Sequence, residues 1–400
     1  MSKFYTGSAR YAVMDVIVIG GGIVGLSAAY NLATRGADVT LFEKGSLGAG
    51  STARAAGGIR SQFSTPVNVE LSLASKPVWD SFESEFGVDI GLRKTGYLFL
   101  ARSEETAEQF EANVRMQQRC GADSRVLTPE AATEYCPGLD PEPFARATYN
   151  PDDGIADPNL AVQGYAGAAQ EAGVEIQTGT AVTDIYRDSG RVTGVQVQGE
   201  NGTAEHDCTF VVNAAGVWAP ELGAMAGIDL PISPRRRQIA VVDPSQAVEE
   251  SVPLTIDLET GSYFRPERDG IALVGGHFEA NPDPEQNPDR FDDDMDIDWA
   301  ANAVERAAEY TDYFGPETRI RRGWAGLYAV TPDHHPVIEE SVPGPVTAAG
   351  FSGHGFQHAP ATGEVVAELV TDGEASLVDV SVLDSDRFER DEGLTEQNVA

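Results

Sequence analysis

The alternation of apolar and polar positions is most regular near the start of the chain. Residues 16–19 form a short β-branched run, as in a strand buried on both faces of a parallel sheet. A glycine-rich turn follows, then a helical stretch of small and apolar residues that ends at Gly36. Residues 38–43 are again strand-like. The pattern predicts a βαβ unit.

Further along, apolar spacing predicts both helices and strands. Helical spacing covers residues 67–86 and 104–119. A further helix is predicted to begin with Asp157 as N-cap and Pro158 at its first position, and to end at Gly173. Strands are predicted at residues 96–101, 174–185 (as a pair), 209–213, 239–242, 271–274 and 346–349, and a last helix over 360–370. Parallel elements therefore enclose two antiparallel-like stretches, which predicts an α/β fold with two interleaved domains.

Composition narrows the class of protein. The 400 residues are 41% hydrophobic and 23% charged, as in folded proteins of about two domains. Acidic residues number 63 and basic residues 28, for a net charge of −35. Nucleic acid is excluded as a partner because binding phosphate requires a basic surface. Such a shell repels itself unless salt screens it, so we expect a cytoplasmic protein adapted to molar salt. An ordinary acidic protein is the alternative.

The cysteine spacing and the amino-terminal residues do not resemble those of an exported protein. Cys120, Cys136 and Cys208 give no even framework and no metal spacing, which suits a reducing compartment. No stretch of 18 residues stays apolar, so no transmembrane segment is predicted. Residues 1–13 lack the apolar core of a signal peptide and are interpreted either as a disordered arm or as the product of a misplaced start codon before Met14.

The glycine-rich turn has the spacing of a dinucleotide-binding fingerprint. Gly20 permits the tight turn, Gly22 lets the backbone approach a pyrophosphate, and Gly25 lets helix and strand pack closely. The positive end of the helix favours the diphosphate. Glu43 can accept both hydroxyls of the adenosine ribose and would repel a 2′-phosphate, which disfavours NADP. A glycine-rich turn with no ligand is the alternative.

The loop after Glu43 favours FAD over NAD. A flavin nucleotide needs further donors for its second phosphate and ribityl chain, and Ser51, Thr52 and Arg54 lie in a loop, GSTARAAGGIR, that can supply them. The chain has one such fingerprint and no CxxxxC pair, whereas an enzyme that passes electrons from NADH to flavin usually has two nucleotide sites.

Several motifs in order resemble the glycine/D-amino-acid oxidase family of FAD proteins. They are IGGGIVGLSAAYNLATRG, GSTARAAGGIR, VVNAAGVWA, GWAGLYAVTPDHHPVI and AAGFSGHGFQHAP. Within the family the chain looks most similar to monomeric sarcosine oxidase and to the β subunits of heteromeric sarcosine oxidase and dye-linked proline dehydrogenase. The resemblance implies a Rossmann-type FAD-binding domain interleaved with a substrate domain on a mixed or antiparallel sheet.

Domain boundaries also follow from the resemblance. The FAD-binding domain would comprise residues 14–88, 152–228 and 323–384, and the substrate domain residues 89–151 and 229–322. Residues 385–400 would be a polar, peripheral tail.

The resemblance implies residue roles as well. Beyond those above, the cofactor-binding residues would be Ile23, Val24, Lys44, Gly58, Val182, Ala215, Gly216, Trp218, Gly353, His354, Gly355, Phe356 and Gln357. Amides of the 350–355 loop, which opens the last helix, would stabilise the anionic reduced flavin.

Substrate residues are implied in the same way. Arg60 matches the arginine that grips the substrate carboxylate, which suits an always-charged bidentate group. It could instead satisfy the flavin loop. Tyr263 and His277 match residues that border the amine, and packed wall residues are the alternative. Arg265 is a second candidate carboxylate ligand.

Four positions depart from the family pattern. Gln357 replaces a lysine that binds the carboxylate, and Leu273 falls where a lysine activates O₂. The positions of covalent flavin attachment fall on Gly326 and near Arg54, neither of which can form that bond. We therefore expect non-covalent FAD and slow reaction with oxygen.

Two polar clusters are not predicted to bind a metal ion. Adjacent residues of a strand point to opposite faces, so His334 and His335 form no metal site. Six aspartates between Asp289 and Asp298 lack the glycine of an EF-hand loop and are predicted to be a solvated face, with Asp298 capping the next helix.

The sequence thus predicts oxidation of a C–N bond in a small amino acid or secondary amine, with sarcosine, another N-methyl amino acid, proline or a D-amino acid as candidates. Electrons would pass to a dye, quinone or partner flavoprotein rather than to O₂. A 2-hydroxy-acid dehydrogenase with His277 as base is one alternative. Another is an FAD-containing assembly factor or partner subunit without its own turnover.

The acidic shell generates a first prediction. The free energy of unfolding should be larger in about 2 M KCl than in about 0.1 M KCl, because counterions relieve self-repulsion over a Debye length that shrinks to about 3 Å at 1 M. Denaturant titrations at the two salt concentrations measure it. Equal stability in both would contradict adaptation to molar salt.

Overall fold

The computed structural model describes residues 14–278, 283–390 and 394–399, so the interpretations of residues 1–13 lie outside the described residues. Its strands are β1 (Asp15–Ile19), β2 (Asp38–Phe42), β3 (Gly58–Ile59), β4 (Tyr97–Ala101), β5 (Arg125–Leu127), β6 (Arg146–Asn150), β7 (Gly154–Ile155), β8 (Glu175–Gln177), β9 (Ala181–Asp188), β10 (Arg191–Gly199), β11 (Gly202–Asp207), β12 (Phe210–Asn213), β13 (Ser233–Asp243), β14 (Leu254–Asp257), β15 (Ser262–Pro266), β16 (Ala272–Gly276), β17 (Arg319–Val330), β18 (Val337–Glu339) and β19 (Pro345–Ala349).

Its helices are α1 (Ile23–Thr34), α2 (Pro66–Phe86), α3 (Glu104–Cys120), α4 (Pro129–Ala132), α5 (Pro158–Glu171), α6 (Ala219–Met225), α7 (Ile297–Ala308), α8 (Gly355–Thr371) and α9 (Arg387–Arg390). Among the described residues, none of these helices combines the length and the apolar character needed to cross a membrane.

A six-stranded sheet has the order β18-β19-β12-β1-β2-β8, and all its neighbours are parallel except β18 and β19. In register, Ile19 lies between Phe42 and Asn213, so the carboxyl ends of β1, β2 and β12 meet at one edge. Ligands of open α/β sheets bind at this edge. Helices α5 and α8 both pack on α1 beside the sheet.

An eight-stranded sheet has the order β17-β13-β16-β15-β14-β4-β6-β5 and is antiparallel except where β14 pairs with β4. Its residues form a second apolar core with α7, in which Phe264, Trp299 and Tyr310 are buried. The two sheets each draw on separated stretches of the chain, and the predicted α/β fold with a mixed sheet is confirmed. The domain boundaries stay a prediction.

The stretch predicted as a strand pair at residues 174–185 is divided between two sheets. Strand β8 extends the six-stranded sheet beside β2, whereas β9 joins a separate antiparallel sheet of order β11-β10-β9. The prediction that the two strands pair with each other is therefore wrong. Local alternation identifies a strand but does not identify its neighbour.

The last helix begins at Gly355, five residues before its predicted start, with Pro360 inside it. A proline inside a helix normally disrupts hydrogen bonds of the preceding turn. Here helix α2 supplies other partners: the Ala361 amide donates to Ser75 Oγ (3.1 Å), and Trp79 Nε1 donates to the Gln357 carbonyl (3.0 Å). Tertiary contacts thus permit a helix where the sequence predicts its boundary.

The carboxyl-terminal segment also differs from expectation. Arg387, Glu396 and Asn398 are buried, although the sequence predicts a peripheral tail. Polar composition misled the prediction because each of these side chains has buried hydrogen-bond partners, a compensation that composition does not show.

Candidate active site and cofactor cavity

A cavity of about 520 Å³ lies at the carboxyl edge of the six-stranded sheet and extends to the eight-stranded sheet. Its wall contains these sequence-predicted residues: Gly20, Gly22, Ile23, Val24, Glu43, Lys44, Ser51, Thr52, Gly58, Arg60, Val182, Ala215, Gly216, Trp218, Tyr263, Gly353, His354, Gly355, Phe356 and Gln357. Four other candidates, Gly25, Arg54, Arg265 and His277, lie outside this wall.

The turn after β1 is closed by backbone contacts that leave no room for side chains. Gly20 has φ +108°, and a Cβ on it would lie 2.6 Å from the Ala214 carbonyl oxygen. A Cβ on Gly25 would overlap the carbonyl oxygen of Gly20. Gly25 therefore acts behind the wall, where it allows α1 to approach the turn.

Glu43 is fixed at the end of β2 by amides on both sides. One carboxylate oxygen accepts from the Gly21 amide (2.7 Å) and the other from the Gly45 amide (2.6 Å). Each oxygen keeps lone-pair capacity for a further donor. The orientation suits a carboxylate that receives hydroxyls of a ribose.

The rim beside Glu43 consists of a cation, an aromatic ring and an anion. Lys44 Nζ lies 3.7 Å from the Trp218 ring centroid and 2.7 Å from Asp289. Trp218 Nε1 donates to the same carboxylate (2.9 Å). The hydrogen bond with the Lys44 ammonium lowers the pKa of Asp289 below its ordinary value. The Glu43 end of the cavity is thus bordered by a side-chain network.

Arg54 braces the loop instead of facing the cavity. Its guanidinium pairs with Asp293 (2.9 Å) and donates to the Gly50 carbonyl (3.1 Å), while Gly326 leaves space for its aliphatic stem. Ser51 and Thr52 do face the cavity, and Thr52 Oγ1 accepts from the Ile23 amide (3.3 Å).

All six aspartates from Asp289 to Asp298 are exposed, as predicted for a solvated face, and three of them also form ion pairs. Asp289, Asp293 and Asp296 pair with Lys44, Arg54 and Arg236, respectively. This acidic segment contacts Lys44, which follows β2, and Arg54 in the loop after it. Only the tertiary fold brings these distant stretches of the chain together. Helix α7 begins at Ile297 with Asp296 as N-cap, two residues before the predicted Asp298.

Arg60 is the guanidinium at the far end of the cavity. It is 5% exposed, stacks 3.9 Å from the Phe63 ring centroid, and donates to the carbonyls of Gln62 and Asn398. Its Nη2 also lies 3.2 Å from His354 Nε2. Burial lowers the pKa of Arg60, and burial together with this neighbouring cation holds the pKa of His354 well below its ordinary value. The imidazole is therefore neutral.

Three tyrosines surround the same end of the cavity. Tyr97, Tyr263 and Tyr328 all line the wall, and burial raises the pKa of each, so their hydroxyls stay protonated. Gly58 and Gly275 leave the space that the Tyr97 hydroxyl and the Tyr263 ring occupy. Tyr97 and Tyr328 were missed, although Tyr328 lies two residues from Gly326 on one face of β17.

Two predicted substrate ligands are engaged elsewhere. Arg265 pairs with Glu267 (2.7 Å), and His277 Nδ1 lies 3.5 Å from Asp283, which also pairs with Arg237. Leu273, at the position of the oxygen-activating lysine, is 1% exposed and packed in an apolar cluster with Tyr263. None of the three lines the cavity among the described residues.

Gln357 joins the last helix to the Arg60 loop. Its Oε1 accepts from the Arg60 amide (2.7 Å), so in this chain the residue in place of the lysine carries a structural bond. Gly353, with φ +95°, would overlap the Tyr328 ring if it carried a Cβ. The positive amino end of α8 thereby reaches the cavity wall.

Nothing among the described residues gathers metal ligands, since no group of three or more His, Cys, Asp or Glu could hold an ion. His335 is instead buried between Thr65 Oγ1 (2.9 Å) and the Asp333 carbonyl (2.9 Å). Cys136 and Cys208 are buried away from the cavity, as expected for core residues.

A cavity across the carboxyl ends of parallel strands, closed at its far end by one guanidinium, is the form in which an α/β enzyme binds a dinucleotide next to an anionic substrate. The class is therefore a dinucleotide-dependent oxidoreductase. Residues 15–369 match the family of FAD dependent oxidoreductases called DAO, and the chain belongs to this family.

Individual relatives agree with this membership. The chain is 33% identical to "FAD-dependent oxidoreductase domain-containing protein 1" of Xenopus laevis over 96% of this chain and 84% of the relative. It is 32% identical to glycine oxidase of Geobacillus kaustophilus over 89% and 92% of the two chains. The crystal structure of L-proline dehydrogenase from P. horikoshii superposes with a TM-score of 0.84 at 35% identity, covering 95% of this chain and 99% of the other.

The prediction of FAD as cofactor is confirmed by the family, and the residues present fit it. The turn can close only because Gly20 and Gly25 carry no Cβ, and two amides hold the Glu43 carboxylate, an arrangement that suits a diphosphate next to a ribose. FAD would be held by these groups together with Ser51, Thr52 and the amino end of α8.

The turn generates a second prediction. Gly25→Ala should lower the bound FAD per chain by about tenfold, because the added Cβ overlaps the backbone that closes the turn. Absorbance at the flavin and protein bands of the purified protein measures the ratio. Gly167→Ala, at an exposed helical glycine with open space, is the matched control and should keep full FAD. Equal FAD in both variants would refute this account of the turn.

Proposed function

We propose that this protein oxidises the C–N bond of a small amino acid or secondary amine, with sarcosine, another N-methyl amino acid, proline or a D-amino acid as substrate. The observation that carries the proposal is the far end of the cavity, where one buried guanidinium is accompanied by protonated tyrosine hydroxyls and by the apolar side chains of Leu254 and Ile256. Such a pocket matches a small anion with an apolar body.

FAD, when bound, would supply the acceptor for the hydride that leaves the substrate, and this hydride carries both electrons of the oxidation. Arg60 would bind the carboxylate and fix which end of the substrate faces the cofactor. The tyrosine rings would exclude water and leave hydroxyls for the amine. The amino end of α8 supports negative charge that develops beside it.

The pocket supports an amine that binds in its neutral form. His354 lines the wall but is neutral and receives a hydrogen bond from Arg60, so it is poorly placed to act as a base. His277, which a 2-hydroxy-acid dehydrogenase would need, lies outside the wall against Asp283. A neutral amine needs no base before hydride leaves its carbon, which favours amine oxidation over the hydroxy-acid alternative.

Names of relatives support the same class, since glycine oxidase and L-proline dehydrogenase both act on small amino acids. A partner subunit without its own turnover stays an alternative, because the name of "FAD-dependent oxidoreductase domain-containing protein 1", a relative of similar identity, states no substrate.

Non-covalent attachment of FAD is part of the proposal. None of the three cysteines lines the cavity, and by the family resemblance the positions of covalent attachment fall on Gly326 and near Arg54.

The third prediction tests the substrate class. Anaerobic addition of sarcosine, proline or D-alanine should bleach the flavin band, whereas the corresponding 2-hydroxy acids should not. Arg60→Lys should raise KM for the reacting amino acid by about 30-fold, because a single ammonium cannot replace a bidentate fork. The matched control is Arg125→Lys, at an exposed arginine paired with Asp123. Bleaching by hydroxy acids alone would favour the hydroxy-acid alternative, and no bleaching by any compound would favour the subunit without turnover.

We also propose that electrons leave to a dye, a quinone or a partner flavoprotein rather than to O₂. A fixed cation beside the flavin stabilises the charge that forms when O₂ takes its first electron. Leu273 replaces that cation, and neither Arg265 nor His277 lines the cavity to substitute for it. Because Leu273 is buried opposite Arg265, Leu273→Lys would introduce a like charge into an apolar cluster and is expected to destabilise the fold.

The fourth prediction follows. Stopped-flow reoxidation of the reduced protein in air-saturated buffer should be slower than turnover with an artificial dye by about tenfold or more. The comparison uses the amine that bleaches the flavin. Reoxidation by O₂ as fast as dye-linked turnover would show an oxidase.

A further inference from the structure

The carboxyl-terminal segment, residues 394–399, returns to the substrate end of the cavity. The carbonyl of Asn398 accepts from Arg60 Nη2, and Asn398 Nδ2 donates to the Gln62 carbonyl (3.1 Å). The same Gln62 carbonyl accepts from Arg60 Nη1. Asn398 therefore orders both carbonyl acceptors of the guanidinium.

Glu396 anchors this segment. It is 1% exposed, and its carboxylate accepts from the Ser64 amide (2.7 Å), Thr65 Oγ1 (2.9 Å) and Asn68 Nδ2 (3.0 Å). These donors surround the amino end of α2, whose dipole favours an anion. The carboxylate also accepts from the Asn398 amide (3.0 Å), so the anchor and the residue that contacts Arg60 form one unit.

All the hydrogen-bond partners that the described residues give the Arg60 guanidinium are uncharged: two carbonyls and the neutral His354. Carbonyl dipoles orient a guanidinium, but they leave its unit charge available to a ligand. A carboxylate in their place would neutralise it and compete with an anionic substrate. The segment therefore positions the cation without a direct ion pair, while the nearby Glu396 carboxylate raises the pKa of Arg60 against the larger effect of burial.

We propose that the carboxyl-terminal segment is part of the substrate site, with Glu396 and Asn398 as positioning residues that hold Arg60 for the carboxylate of the substrate. The inference rests on the function proposed above. It predicts that loss of the segment weakens binding of substrates that carry a carboxylate and spares amines that lack one.

The fifth prediction compares L-proline with pyrrolidine, which lacks the carboxylate, on the FAD-loaded enzyme. Glu396→Ala and a chain ending at residue 393 should each raise KM for proline by about tenfold, while kcat and all constants for pyrrolidine stay within about twofold. Sarcosine and dimethylamine serve as the pair if proline is not oxidised. Thr395→Ala, at an exposed neighbour, is the control. Glu396→Gln, which keeps acceptor oxygen, should recover part of the loss.

A double-variant cycle shows whether the segment acts through Arg60. In an Arg60→Lys background, Glu396→Ala should add less than about twofold to KM for proline, because the fork it positions is already lost. Equal losses for proline and pyrrolidine, or full additivity with Arg60→Lys, would overturn the inference in favour of a general structural role.

A chemical readout separates failure of this inference from failure of the proposed function. If no amine bleaches the full-length enzyme, the function fails, but modification of Arg60 by phenylglyoxal in the FAD-bound protein still tests the segment. Peptide mass spectrometry should show Arg60 modified about tenfold faster after Glu396→Ala than in the parent, and Arg125 modified equally in both. Unchanged protection of Arg60 would refute the positioning role.

Discussion

A buried positive charge without an acidic partner in contact is the constraint on which the substrate end of this enzyme depends. Arg60 lies on apolar and aromatic surface and is satisfied by carbonyl dipoles and one neutral imidazole. Burying a charge in this way has a cost in stability that is accepted where an incoming ligand supplies the counter-charge. The arrangement explains why so many neutral donors and acceptors converge on one side chain.

The fold places the Arg60 charge beside the predicted cofactor site through a short chain of backbone contacts. Arg60 follows β3, which pairs with β7, and its amide is tied to α8 through Gln357. Helix α8 in turn packs on α1, whose first turn closes over Gly20. The dinucleotide end and the substrate end are thus connected through a few backbone contacts, and small residues at the contacts keep the distances short.

Local features of the site could be predicted from the sequence, whereas features made by distant pairing could not. The glycine turn and Glu43 follow one another along the chain, so spacing predicted them together, and the family resemblance added Arg60 from the loop that comes next. Tyr97 and Tyr328 come from strands whose neighbours depend on the whole sheet. Spacing placed Leu273 and His277 in or beside a strand but could not decide that their side chains would miss the cavity. The buried tail was unpredictable because Glu396 has partners 328 or more residues away.

The ion pair at the rim of the cavity has a thermodynamic consequence. The pair of Lys44 with Asp289 is about half exposed, so molar salt weakens its attraction. The same salt is predicted to stabilise the protein as a whole, because it screens the repulsion within the acidic shell. The ion pair at the rim and the acidic shell are therefore expected to respond to ionic strength in opposite directions.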